Sequence, residues 1–111
     1  MVEHRGDVLD GTFGALGHRV RREMLDRLRR GEVRVTELAA PFEMSLAAAS
    51  KHVRVLEAAG LIHRDVLGRE HRLSLEPHPL MAASNWIDTY RAFWEGRLDA
   101  LESHLRTGGG R

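Results

Sequence analysis

Residues 35–61 read VTELAAPFEMSLAAASKHVRVLEAAGL, and this stretch constrains the chain more than any other. Thr36 is a residue type that caps helices, and Pro41 ends a helix begun there because it lacks the amide the ladder needs. Four residues later Ser45 offers a second cap, and Gly60 supplies the residue on which helices commonly close. The spacing therefore predicts a short helix through Ala40, a tight turn, and a second helix from Ser45 to about Gly60. At 100° per residue, Leu46, Ala49, Val53 and Leu56 share one face of the second helix. Ala47, Ser50, Lys51 and Arg54 fall on the other side, which is small, polar and basic. Two helices joined by so short a turn make a helix-turn-helix, and an outer face of that composition suits the major groove of DNA.

The period changes after Gly60. In LIHRDVLGREHRLSLEP, Ile62, Arg64 and Val66 alternate, as do His71, Leu73 and Leu75, with a hairpin turn at Leu67-Gly68-Arg69-Glu70. A two-stranded ribbon directly after a helix-turn-helix is a wing. Pro77 and Pro79 end it, and a long helix is expected from about Leu80 to Leu105. Upstream, a short helix is expected at about 8–16, broken by Gly17. Another follows from His18 to Arg30, with Val20, Met24, Leu25 and Leu28 at helical spacing and Gly31 as its stop. Residues 1–6 are expected to be a flexible terminus, and 107–111 a disordered tail ending in TGGGR.

With 111 residues the chain suits one domain. Residues 7–106 are expected to form it. No apolar run approaches the roughly 20 residues that span a bilayer. MVEHRGDVLD has acidic residues and no apolar stretch, unlike a signal peptide. The chain has no cysteine, which excludes disulfides and thiolate chemistry and fits the cytoplasm. Net charge is only +1, so electrostatics does not announce a nucleic-acid partner. Lys51 is the single lysine among 17 basic residues, and the rest are arginine, which grips phosphates and guanine edges bidentately. No Ser-His-Asp set, phosphate-binding glycine loop or paired carboxylates stand out, so the chain is not read as an enzyme.

Within the proposed reader, Thr36, Ser45, Ala47, Ala48, Ser50, Lys51, His52 and Arg54 are the candidate DNA contacts. Ser45, Ser50 and Lys51 suit phosphates, and Ala47 and Ala48 suit thymine methyls. His52 borders the apolar face and suits a structural or phosphate-anchoring role. In the wing, Arg69 at the turn and Arg72 beyond it are the candidates for backbone or minor-groove contact. On the last helix Ile87, Trp94, Leu98, Leu101 and Leu105 make an apolar stripe, which Trp86, Tyr90 and Phe93 widen. That stripe is broad for one small domain to cover. It points to a dimer interface of Phe13, Trp86, Ile87, Tyr90, Phe93, Trp94, Leu98 and Leu101.

In this order and spacing, LGHRVRREMLDRL, the helix-turn-helix with its SKH followed by V-x-x-L-x-x-A-G-L, and LGREHRLSL resemble the ArsR family of regulators. The likeness runs from Thr12 to about Leu105. It implies a mainly α winged helix-turn-helix with a small β-hairpin, in the order α-α-α-α-β-β-α, that pairs through its first and last helices. It further implies a homodimeric, sequence-specific transcriptional regulator, a repressor on a palindromic DNA operator. Many members sense metals through a Cys-x-Cys or Cys-x-x-Asp pattern, but the matching positions around Val35 to Ala39 hold no cysteine. Others use Asp-x-His with a later His pair. Here Asp88 is followed by Tyr90, and His104 is the sole later histidine. The tryptophan-rich last helix is similar to a metal-independent branch, so no cofactor is expected. Two alternatives stay open. One is a nickel- or zinc-responsive regulator drawing on His4 or His104 with Glu102 or Asp99. The other is a helical adaptor that binds protein.

Overall fold

Each break in the helical pattern coincides with a residue that enforces it. The computed structural model describes residues 2–107, with side chains from residue 6 to residue 106. Helix α1 spans Val2–Leu16, starting at Val2 rather than near residue 8. The stretch expected to be a flexible terminus is thus largely α1 backbone, while Met1 and the tail residues 108–111 lie outside the described residues. Helix α2, Arg19–Leu28, starts on His18, whose Nδ1 accepts a hydrogen bond from the Val20 amide at 3.2 Å. A short strand β1, Val33–Arg34, leads into α3, Val35–Ala39. Helix α4, Leu46–Ala58, is capped as its sequence predicts, the Ser45 hydroxyl accepting from the Ala48 amide at 3.1 Å. At its other end Gly60 takes φ +74° and the Leu61 amide bonds back to the Leu56 carbonyl at 3.0 Å. This is the left-handed closure that glycine permits without steric cost.

Strands β2, Ile62–Leu67, and β3, Glu70–Leu75, form the expected hairpin, with Gly68 at φ +65°. Leu67 pairs with Glu70 across the turn and Ile62 with Leu75 at its base. The ribbon is not two-stranded, however. β1 pairs antiparallel with β3, Val33 opposite Leu73, giving a three-stranded sheet in the order β1-β3-β2. Two residues are too short to display a period of two, so β1 left no trace in the sequence pattern.

The expected single terminal helix is two. Helix α5, His78–Asp88, and helix α6, Arg91–Thr107, meet at Thr89-Tyr90. There the Thr89 hydroxyl donates to the Trp86 carbonyl at 2.7 Å, and the amides of Thr89 and Tyr90 reach back only three residues. A threonine that bonds the preceding turn competes with the helical ladder and tightens it locally. The observed order is therefore α-α-β-α-α-β-β-α-α, a mainly helical winged helix-turn-helix with a small antiparallel sheet.

Met24, Leu28, Leu38, Val53, Leu56, Leu61 and Leu73 are fully or almost fully buried, so α2, α3, α4 and the sheet share one core. Thr12 is buried on α1 with its hydroxyl unpaired among the described residues. Ala49, Val53 and Leu56 turn inward on α4 as expected, but Leu46 does not: it is 54% exposed. It stands at the first helical position, one turn ahead of Ala49, and overhangs the edge of the core. Helix α6 packs on none of this. All its described side chains are exposed, and the radius of gyration is 19.2 Å, against about 13 Å for a compact chain of this length. No described helix is long and apolar enough to cross a membrane.

Candidate nucleic-acid interface

Burial of Ala49, Val53 and Leu56 fixes the rotation of α4, and the opposite face follows from it. Ala47, Lys51 and Arg54 are exposed there, with Ser50 and Ala48 half-buried at its margins. Ser45 is exposed at the helix start, its oxygen engaged by the Ala48 amide and its hydroxyl proton left to donate.

His52 points the other way, toward α2. Its Nδ1 lies 3.1 Å from Nη1 of Arg21, whose Nε and Nη2 donate to the carbonyls of Ala15 and Gly14 at 2.7 and 3.2 Å. A guanidinium only donates, so Nδ1 must accept, and His52 is neutral with its proton on Nε2. Burial, then the neighbouring His18 ring and Arg21, hold its pKa below the usual histidine value. The rings of His18 and His52 are 4.4 Å apart. His52 thus seats α4 on α1 and α2 through Arg21.

Sequence reasoning missed the lock between helix and wing. Arg64 on β2 donates from Nε and Nη2 to both carboxylate oxygens of Glu57 on α4, at 2.9 and 2.7 Å. The guanidinium holds the Glu57 carboxyl below the ordinary carboxylate range, and Glu57 pushes Arg64 further up. A fork-on-fork pair fixes orientation as well as distance, and here it ties the wing to α4. No periodicity reveals it, because the two residues lie seven apart across a helix end and a strand start.

The wing candidates separate. Arg69 is exposed at the hairpin turn. Arg72 instead donates to Glu70 at 2.9 Å and to Glu32 at 3.1 Å, and both carboxylates raise its pKa. These contacts tie β3 to the residue before β1. Thr36 is not the cap of α3, as its sequence suggested. Arg34 holds that place, and its amide donates to the Glu37 carboxylate at 2.9 Å, which keeps Glu37 below its usual pKa. Thr36 lines an open cleft of about 480 Å³ between α3 and the wing, with Arg34, Arg64, Arg69 and His71 among its other walls. Thr36 and Arg69, far apart in sequence, therefore line one cleft, whose walls also include Val35 and Glu70.

A second surface lies on the far side. Phe13 of α1 meets Trp86 of α5 edge-on at 5.6 Å, and Trp86 meets Tyr90 at 5.2 Å. Ile87, Trp94, Leu98 and Leu101 continue this surface along α5 and α6, all exposed. Phe93 lies off that line, 63% exposed, with the Arg97 guanidinium 4.8 Å above its ring. His104 is exposed on α6, and the His4 side chain lies outside the described residues. Among the described residues no three histidine or carboxylate side chains converge on a possible cation site.

Known proteins are similar to this chain in sequence and fold. A family model described as a helix-turn-helix domain matches residues 16–65. The HTH-type transcriptional regulator Rv2034 of Mycobacterium tuberculosis is 33% identical over 89 residues, 80% of each chain. The crystal structure of an ArsR family transcriptional regulator superposes with a TM-score of 0.76 at 38% identity, covering 81% of this chain and 93% of that one. The chain belongs to the ArsR family. It is a transcriptional regulator with a DNA-binding helix-turn-helix fold, and not an enzyme. The chain is also similar to the winged helix-turn-helix DNA-binding domain of Mb0332 from Mycobacterium bovis, described as homodimeric and as a possible ArsR-family transcriptional regulator. It is 25% identical, with a TM-score of 0.58, over 90% of this chain and 84% of that one.

Proposed function

We propose that this ArsR-family regulator binds a near-palindromic operator as a homodimer and represses transcription by occupying it. The observation that carries the pairing is the apolar arm. Trp94, Leu98, Leu101 and Leu105 follow one another at alternating spacings of four and three, the seam of a coiled coil, and stand in water. A monomer has no reason to leave such a face uncovered. A second copy related by a two-fold axis covers it, with Phe13, Trp86, Ile87 and Tyr90 extending the contact and Phe93 at its rim. The homodimeric state described for the Mycobacterium bovis relative supports this reading.

Two-fold pairing presents two copies of α4 to successive major grooves, so the half-sites lie about 10 bp apart or a multiple of that. Lys51, Ser45, Ser50 and Thr36 hold phosphates, Arg54 reaches base edges, and Arg69 meets the backbone or minor groove beside the wing. Residues 7–106 make up this unit of reader, wing and pairing helices. All of it serves to hold DNA or a second copy, which favours repression by exclusion of polymerase over recruitment, in the cytoplasm. Footprinting on the DNA upstream of its own gene tests the proposal. A protected near-palindrome at dimer stoichiometry is expected, and an asymmetric single half-site contradicts it.

A further inference from the structure

The chain contains one carboxamide side chain, Asn85, and no glutamine at all. Asn85 lies on α5 rather than α4, beside Leu9, Ala82, Trp86 and Thr89. Asparagine and glutamine are the side chains that recognise adenine through paired hydrogen bonds in the major groove. Helix α4 also has no acid available to accept from cytosine, since both oxygens of its one carboxylate, Glu57, are taken by Arg64. At its N-terminal end α4 instead presents apolar side chains. Leu46 is 54% exposed at the first helical position and Ala47 is exposed next to it, on the end of the helix that enters a groove. Leu46 is not among the buried core residues, which on α4 begin one turn later at Ala49.

We infer that Leu46 and Ala47 are specificity-determining residues that read A·T pairs from the thymine side, by packing on the C5-methyl group. This rests on the proposed entry of α4 into the major groove. Thymine differs from the other bases there by that methyl, and apolar side chains are its natural partners. Guanine is left to Arg54, so an operator for this chain is written in thymine methyls and guanine edges. Adenine positions are specified only through their paired thymines.

The test uses deoxyuridine, which keeps the pairing and removes the methyl. The full-length protein first selects its preferred duplex from a randomised pool. That duplex is then remade with deoxyuridine at one thymidine position of each half-site at a time, and affinity is measured by fluorescence anisotropy. At one or two positions per half-site, loss of the methyl is expected to weaken wild-type binding about fourfold for each contact. Leu46→Ala or Ala47→Gly is expected to bind the thymidine duplex more weakly and to lose its sensitivity to deoxyuridine at the position it served. Circular dichroism confirms that α4 is intact, and Ala47→Ser replaces Ala47→Gly if the glycine variant is unfolded. Indifference to deoxyuridine at every position, or full sensitivity retained in both variants, overturns the inference. Enrichment of a specific duplex together with weakened binding by Arg54→Ala shows the groove reading intact in that event. Failure to enrich any sequence overturns the reading and the inference together.

Discussion

His52 shows how one side chain can tie α4 to the helices beneath it. Its Nδ1 accepts from Arg21, and that bond exists only while the ring is neutral. Burial and the nearby His18 and Arg21 lower its folded pKa, so the unfolded chain takes up this proton at a higher pH than the folded one. The contribution is fully present above the unfolded value of about 6.5 and declines as pH falls from there toward the folded pKa. The thermal midpoint should therefore drop between about pH 7.5 and 5.5, and His52→Gln should flatten that part of the profile. An unchanged profile in the variant would assign the titration to another histidine. On the outer face of α4, Arg54→Ala should cost about 1–3 kcal/mol on the selected operator and much less on random DNA. Equal losses on the two duplexes would make Arg54 a phosphate contact rather than a base reader.

At the scale of elements, the Arg64–Glu57 pair ties the wing to α4. Both side chains are roughly a quarter exposed, so solvent weakens the pair only in part. Arg64→Met should lower stability by about 1–2 kcal/mol and reduce DNA affinity through a loosened wing, seen as a lower melting temperature together with weaker anisotropy binding. Arg69→Ala should leave the melting temperature alone and weaken operator and random duplexes alike, since a wing-tip arginine meets backbone or a degenerate groove. A footprint that changes only at the centre of the half-site would contradict that placement. These elements were legible in the sequence to different depths. Ser45, Gly60 and the alternation around Gly68 declared α4 and its hairpin because each signal is local. The two-residue β1 and the exposure of Leu46 were not, since each depends on what lies nearby. The Thr89 break was hidden because a threonine within an apolar helical stripe breaks it only when its hydroxyl turns back to the preceding turn. The Arg64–Glu57 and Arg21–His52 contacts are tertiary, and no spacing encodes them.

The whole molecule is elongated, 68 × 39 × 21 Å, because α6 leaves the body and finds no cover within its own chain. A second copy resolves this, and wild type should sediment at twice the 12.5 kDa chain mass. Trp94→Ala combined with Leu98→Ala should shift it toward monomer and weaken operator binding. Neither property should change on adding a chelator or zinc. Binding that appears or vanishes with the metal would overturn metal independence. The most direct test of the central claim, that two copies of α4 enter DNA together, is the salt dependence of operator binding in wild type and Lys51→Ala. Each lost phosphate contact lowers the slope of log affinity against log salt by about 0.9, so a dimer that loses one lysine per protomer should show a fall of about 1.8. A slope identical to wild type would contradict the account, and a fall of about 0.9 would contradict its two-fold pairing on DNA.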